Sequence, residues 1–291
     1  MFESLQELVS IAESGKKSLA EIVIETEMLT SGSAEADIRL RMQKRLEIMK
    51  DSAQKALDKP VKSLSGISGG SAYKFWHWLD GNEPLTGSVM SRALARALSV
   101  NEVNAGMGCI VATPTAGSAG ILPATLITLQ ESHHFLDDEI VDALFVASGI
   151  GMVIVNRANV SGAMGGCQAE TGSAAAMAAG ASVALMGGSP HQSAQAVAIT
   201  LKNMLGLVCD PVAGLVEVPC VKRNAAGVAQ CFVAIDLALA GVESVIPPDE
   251  VIDAMANIGK VMDKNLKETG LGGLAATPTG KRLAAKVWGD S

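Results

Sequence analysis

The sequence predicts a mainly α fold, and three observations carry that expectation. Apolar residues recur at spacings of three and four, most clearly over 34–57, where Ile38, Met42, Leu46 and Met49 share one face. Aromatic residues are only 3% of the chain while glycines number 30, and much of the apolar fraction is Ala. That composition suits closely packed small-residue helices. No strong period-two alternation marks a sheet.

The elements follow in order. Phe2, Leu5, Leu8, Val9 and Ile11 form an apolar stripe near the start. Ser18-Leu19-Ala20-Glu21 is a capping box that opens a second helix, and Ser31-Gly32-Ser33 breaks it. The long charged helix over 34–57 ends at Lys59-Pro60. SLSGISGGSAYKFWHW, residues 63–78, reads as a Gly loop anchored by aromatics. It marks the best boundary between an N-terminal helical segment, 1–62, and a main body, 63–291, packed as one continuous domain. Residues 89–98 read as a helix. From 104 onward, Gly-rich loops alternate with small-residue helices, the first of these leading into a helix at about Leu122. Pro247-Pro248-Asp249 opens a last amphipathic helix with a stop expected at Gly270. Residues 145–155 and 215–218 are expected as short strands, because β-branched side chains gather there.

Composition excludes several function classes. A net charge of −7 over 291 residues argues against a nucleic-acid partner or an acidic membrane surface. The mean hydropathy of +0.31 raises the question of membrane insertion. Yet the longest apolar stretches, 143–155 and 173–188, are dotted with Ser and Gly and fall short of the roughly 18 uninterrupted apolar residues a span needs. The start, MFESLQELVSIAESGKK, has no basic region followed by an apolar one, so no signal peptide is expected. The expected location is the cytoplasm, where five cysteines do not make a disulfide framework.

Those cysteines differ in context. Cys231 lies in an apolar helical run and Cys109 leads into one, and both read as structural. Cys167 follows Gly165-Gly166, Cys209 precedes Asp210-Pro211, and Cys220 follows Pro219. These three sit at junctions where free backbone amides can bond to sulfur. Packing and metal ligation both remain open on this evidence. No CxxC pair supports a zinc ribbon or ferredoxin run. Three thiolates would leave a metal one open position, which Lewis-acid catalysis needs.

SGAMGGCQAETGSAAAMAAG around Cys167, LGLVCDPVAGLVEVPCVKRNA around Cys209 and Cys220, and ATPTAGSAGILPA at 112–124 resemble the α chain of iron–sulfur-dependent L-serine dehydratase. The motifs occur in that family's order, and the resemblance covers most of the chain after about residue 60. It implies a mainly helical catalytic domain whose Gly-rich loops surround an iron–sulfur site. It implies that Cys167, Cys209 and Cys220 hold a [4Fe–4S] cluster with one iron open, and it leaves out Cys109 and Cys231. The implied reaction is that of a carbon–nitrogen lyase: L-serine to pyruvate and ammonia, in serine catabolism and gluconeogenesis. The chain has no room for the regulatory domain fused in some members, so a β subunit is the implied partner. It ends KVWGDS, without the cysteine-bearing tail of some single-chain members.

That reaction needs a receptor for the substrate carboxylate and a base for the α-proton. Thr113, Thr115 and Ser118 offer hydroxyls in a loop before a helix start, and Ser68 with Gly69 offers a second such loop. Arg223, close after Cys220, can hold a carboxylate in a bidentate pair. The base is expected to be His77, read as shielded between Trp76 and Trp78; Glu170 is the carboxylate near Cys167. A pyridoxal phosphate route is not expected, because no lysine stands out as buried beside a Gly-rich loop. Two other readings stay open: an iron–sulfur lyase for another β-substituted amino acid such as cysteine, and a non-catalytic or membrane-associated subunit.

Overall fold

A computed structural model describes residues 2–289. Along the chain run α1 (Leu5–Gly15), α2 (Leu19–Ser31), α3 (Glu35–Asp58), α4 (Ser71–Trp78), α5 (Gly87–Ala105), α6 (Ile121–His133) and α7 (Asp137–Arg157). Then come the single turn α8 (Gly162–Gly165), α9 (Ser173–Leu185), α10 (Pro190–Met204), α11 (Cys220–Leu239), α12 (Pro248–Val261) and α13 (Pro278–Trp288). Among the described residues there is no β-ladder, only isolated bridges between Lys62 and Gly69 and between Cys209 and Lys267. The mainly α expectation holds.

Local chemistry sets many of the helix ends. Ser18 Oγ accepts from the Glu21 amide at 3.2 Å while Glu21 Oε2 accepts from the Ser18 amide at 2.7 Å, completing the predicted box. Gly32 ends α2 in the left-handed region at φ 67. Ser189 and Gln192 form a second reciprocal box, with Pro190 in the first turn of α10.

The core is organised around α9. Its residues Ser173 to Val183 are all buried, and α6, α7, α10 and α11 pack around it. Small side chains allow this close approach. A Cβ on Gly180 would lie 2.5 Å from Ile150 Cδ1 and 2.9 Å from Val197 Cγ2, so α7 and α10 touch the backbone of α9 itself. The N-terminal helices join the same core: α2 packs on α7, α3 on α5, and α1 on α10. One cluster of buried apolar residues extends from Phe2 to Met255.

Three expectations are corrected. Residues 145–155 are helical, within the 21-residue α7. Gly149 and Gly151 let Val23 of α2 and Met177 of α9 close onto the helix, and burial on most sides outweighs β propensity. Residues 215–218 form no strand; they lead into a cis Val218–Pro219 bond. Helix α12 stops at Val261, well before Gly270, because Met262 turns extended and Asp263 caps a short 3-10 turn over Lys264–Leu266. No described helix is long and apolar enough to cross a membrane.

Candidate metal centre

The three thiols come from three separate segments. Cys167 lies between α8 and a π-helical turn over Gln168–Gly172 that leads into α9. The wide turn aims Glu170 and Thr171 back beside it, with Thr171 Oγ1 3.6 Å from Cys167 Sγ. Cys209 lies in the loop after α10. Its amide donates to Leu266 O at 2.8 Å and its carbonyl accepts from the Glu268 amide at 2.7 Å, so the segment after α12 holds its backbone on both sides. Cys220 is the first residue of α11, directly after the cis proline. All three are buried, and none is in a disulfide.

The Sγ atoms of Cys167 and Cys209 and a Glu170 carboxylate oxygen lie within 4.8 Å of one another. Glu170 Oε2 is 3.9 Å from Cys209 Sγ. Cys220 stands outside that trio but feels the charge of Cys167. Arg223, one turn into α11, donates from Nη1 to Val208 O at 2.9 Å, pairs with Asp210 at 2.8 Å, and reaches the Cys167 sulfur.

Electrostatics separate these groups. The hydrogen bond from Cys209, aided by the Arg223 charge, pulls the Cys167 thiol down to about 6 against the opposing effect of burial. Cys209 is pushed far up, because it donates to Cys167 and is itself buried. Burial pushes Cys220 up to about 12. Burial and the Cys167 charge push Glu170 up to about 7, opposed by the Thr115 hydroxyl and the Gly162 amide. Burial works against the Arg223 charge, but Cys167 and Asp210 outweigh it and raise its pKa.

The donor set fits an iron–sulfur cluster. Two soft sulfurs, those of Cys167 and Cys209, meet here, and Cys220 is near enough to feel the Cys167 charge; such donors suit iron–sulfur better than oxygen-loving metals. Gly162 leaves the space open: a Cβ there would lie 2.6 Å from Glu170 Oε2 and 2.9 Å from Cys209 Sγ.

The other candidates separate into near and far. Thr115 bonds Glu170 and lies 3.1 Å from Ser118 Oγ, and a Cβ on Gly117 would sit 3.5 Å from Glu170 Oε1. This brings the 113–120 loop to the thiols. Thr113 and Ser118 are buried and bonded within the loop, with Ser118 Oγ donating to Thr113 O at 3.2 Å. Ser68 donates to Glu217 Oε2 at 2.7 Å and Ser65 to Oε1 at 2.8 Å, which ties the loop holding Gly69 to the lead-in of Cys220. His77 is exposed, not shielded: α4 turns it outward, and its Nδ1 meets Tyr73 O at 2.9 Å. None of its hydrogen bonds or ring contacts joins it to the thiols. Cys231 is buried as expected, but Cys109 is exposed.

Sequence reading missed two buried carboxylates. Glu217 clamps the two serines, and Glu102 accepts from the Ser71 and Ala72 amides at the start of α4. Each is a lone acid in a largely apolar stretch, the one local signal available.

The family described as serine dehydratase alpha chain matches residues 14–275. The probable L-serine dehydratase alpha chain of Bacillus subtilis is 50% identical over 291 residues, all of this chain and 97% of that protein. The L-serine dehydratase alpha chain of Peptoniphilus asaccharolyticus is 42% identical over 283 residues, 97% of each. The L-serine dehydratase of Mycobacterium bovis is 35% identical over 286 residues, 94% of this chain and 61% of that protein. The chain therefore belongs to the serine dehydratase α-chain family.

Proposed function

We propose that this chain is the cluster-bearing α subunit of an L-serine ammonia-lyase that yields pyruvate and ammonia without pyridoxal phosphate. The observation that carries this reading is the meeting of free buried thiols from separate segments beside Glu170 and Thr115. Cys167, Cys209 and Cys220 are the residues assigned to hold a [4Fe–4S] cluster. When bound, the cluster supplies a Lewis-acidic iron for the leaving hydroxyl.

The remaining work falls to the chain. Arg223 keeps positive charge beside the sulfurs, anchored through Asp210 and Val208. Thr115 and the backbone around Gly117 form the side of the 113–120 loop that faces Glu170, and are assigned to the substrate carboxylate. Thr113 and Ser118 hold that loop in shape. Ser68 and Gly69 stand on the second loop, fixed by Glu217. Glu170 Oε2, rather than the outward His77, is the atom assigned to proton transfer, because it lies 3.9 Å from Cys209 Sγ on a carboxylate that also bonds Thr115. The lysine beside Cys220, Lys222, is exposed and donates to Ser71 Oγ at 3.1 Å, which does not suit a Schiff base.

Residues 63–291 are assigned to catalysis and 1–62 to a helical segment packed on them, in one continuous domain. The proposed partner is a β subunit, as the alpha-chain names of the relatives suggest. The proposed location is a reducing cytoplasm, which suits five free cysteines.

The test is oxygen-free purification, iron and sulfide analysis, and turnover of L-serine and L-cysteine. About four irons per chain with preferential deamination of L-serine is the expected result. An iron-free chain, or one that prefers L-cysteine, would overturn the reading.

A further inference from the structure

The start of α11 does more than present Cys220. Asn224, fully buried, makes three hydrogen bonds through its side-chain amide. Its Nδ2 donates to Gly117 O at 2.7 Å and to Cys220 O at 3.0 Å, and its Oδ1 accepts from the Gly120 amide at 3.0 Å. One side chain thus joins the residue carrying a thiol to both ends of the stretch 117–120, more than a hundred positions away.

The surroundings permit little else there. A Cβ on Gly120 would lie 2.5 Å from Asn101 Nδ2, 2.6 Å from Ala97 O and 3.1 Å from Asn224 Oδ1, so the loop is pressed against α5 and α11 with no slack. Asn offers a donor and an acceptor on one rigid fork. Asp keeps the shape but loses the donor as a carboxylate, and Gln is longer by a methylene with no space for it.

We propose that Asn224 is the positioning residue that sets the 113–120 loop, and with it Thr115, in register with Cys220. It touches neither the thiols nor Glu170 in any hydrogen bond of the structure; it acts through the loop. The inference rests on the assignment of that loop to the substrate carboxylate. It predicts a distinctive pattern: loss of the link weakens substrate binding while the thiols keep their metal.

Asn224→Asp and the milder Asn224→Ser are compared with the unchanged full chain, prepared without oxygen with any partner chain that accompanies it. Three quantities are read: hydrogen exchange of peptides covering 113–124, iron per chain, and KM and kcat for L-serine. In both variants exchange over 113–124 is expected to quicken about tenfold, KM to rise about tenfold, and iron to stay near the unchanged value. Combined with Thr115→Val, Asn224→Ser should add little further to KM, because both act through one loop. A KM within twofold of the unchanged chain in Asn224→Ser, or full additivity with Thr115→Val, overturns the proposal. So does unaltered exchange over 113–124, a readout that needs neither cluster nor turnover. If the unchanged chain holds no iron and does not consume L-serine, the functional assignment fails instead, and the exchange arm still decides whether Asn224 holds the loop.

Discussion

Arg223 Nη2 stands 2.8 Å from Asp210 Oδ1, and each partner is a near neighbour of a thiol: Asp210 follows Cys209, and Arg223 lies three residues after Cys220. The pair crosses from the loop after α10 to the first turn of α11. Asp210 Oδ2 also accepts from the Leu274 amide at 2.8 Å, so the carboxylate fastens a third segment.

Breaking that pair from one side leaves a buried charge without its partner. Arg223→Met is expected to cost about 3–5 kcal/mol in urea unfolding, whereas Arg223→Lys costs less but loses the forked geometry. Iron content should fall in both variants. An Arg223→Met chain of unchanged stability would show that the pair does not tie these segments together.

The cysteines should divide by position. If the proposed ligand set is right, Cys167→Ser, Cys209→Ser and Cys220→Ser each lower iron per chain by at least about half. Cys109→Ser, at an exposed position, should leave both iron and melting temperature unchanged. Iron retained in full by Cys220→Ser would remove that residue from the ligand set.

Gly162 tests the space at the site. Its φ is not in the left-handed region, so alanine meets no backbone penalty, only the Glu170 and Cys209 side chains. Gly162→Ala is expected to lose most iron while circular dichroism stays unchanged. Full iron loading would mean that the thiols need no such room.

Glu170→Gln separates proton transfer from shape. The amide keeps the size of the side chain but cannot take a proton, so kcat is expected to fall about 10²–10⁴-fold. His77→Ala should keep kcat within about threefold, since an exposed side chain off the thiol group supplies no comparable proton-transfer factor. A reversed pattern in stopped-flow or steady-state assays would return the base to α4.

Acid stability has a defined sign at Asp137. Lys50 donates to it at 2.5 Å and Gln130 at 2.6 Å, holding its carboxyl below the ordinary 3.8. A lowered folded-state pKa contributes stability above the unfolded value, and that contribution disappears as pH falls through the lower one. The groups are largely exposed, so the effect is roughly a few tenths of a kcal/mol. Asp137→Asn should flatten the melting profile slightly below about pH 4 and nowhere else.

Local rules were legible wherever one short segment decides the outcome. The Ser18–Glu21 box, the break at Gly32, and the start of α12 at Pro248 follow from neighbouring residues alone. Residues 145–155 were not legible in this way, because their state depends on being surrounded by other helices. The site shows the same division. The junction context and the family resemblance together singled out Cys167, Cys209 and Cys220. Nothing near Ser68 announces Glu217, 149 positions on, and His77 was judged from its tryptophan neighbours when the turn of α4 decides its exposure.

The hold on Cys209 by the segment after α12 bears on how the protein is made. Both backbone bonds of Cys209 go to residues 266 and 268, and the Asp210 carboxylate waits for Leu274. During synthesis the chain emerges from its N-terminus, so Cys167, Cys209 and Cys220 all leave the ribosome before the residues that fix the middle one. Completion of the thiol frame is therefore a late event, after some fifty further residues beyond Cys220. A nascent chain halted at residue 260 would present the three sulfurs without the contacts that fix Cys209 and Asp210.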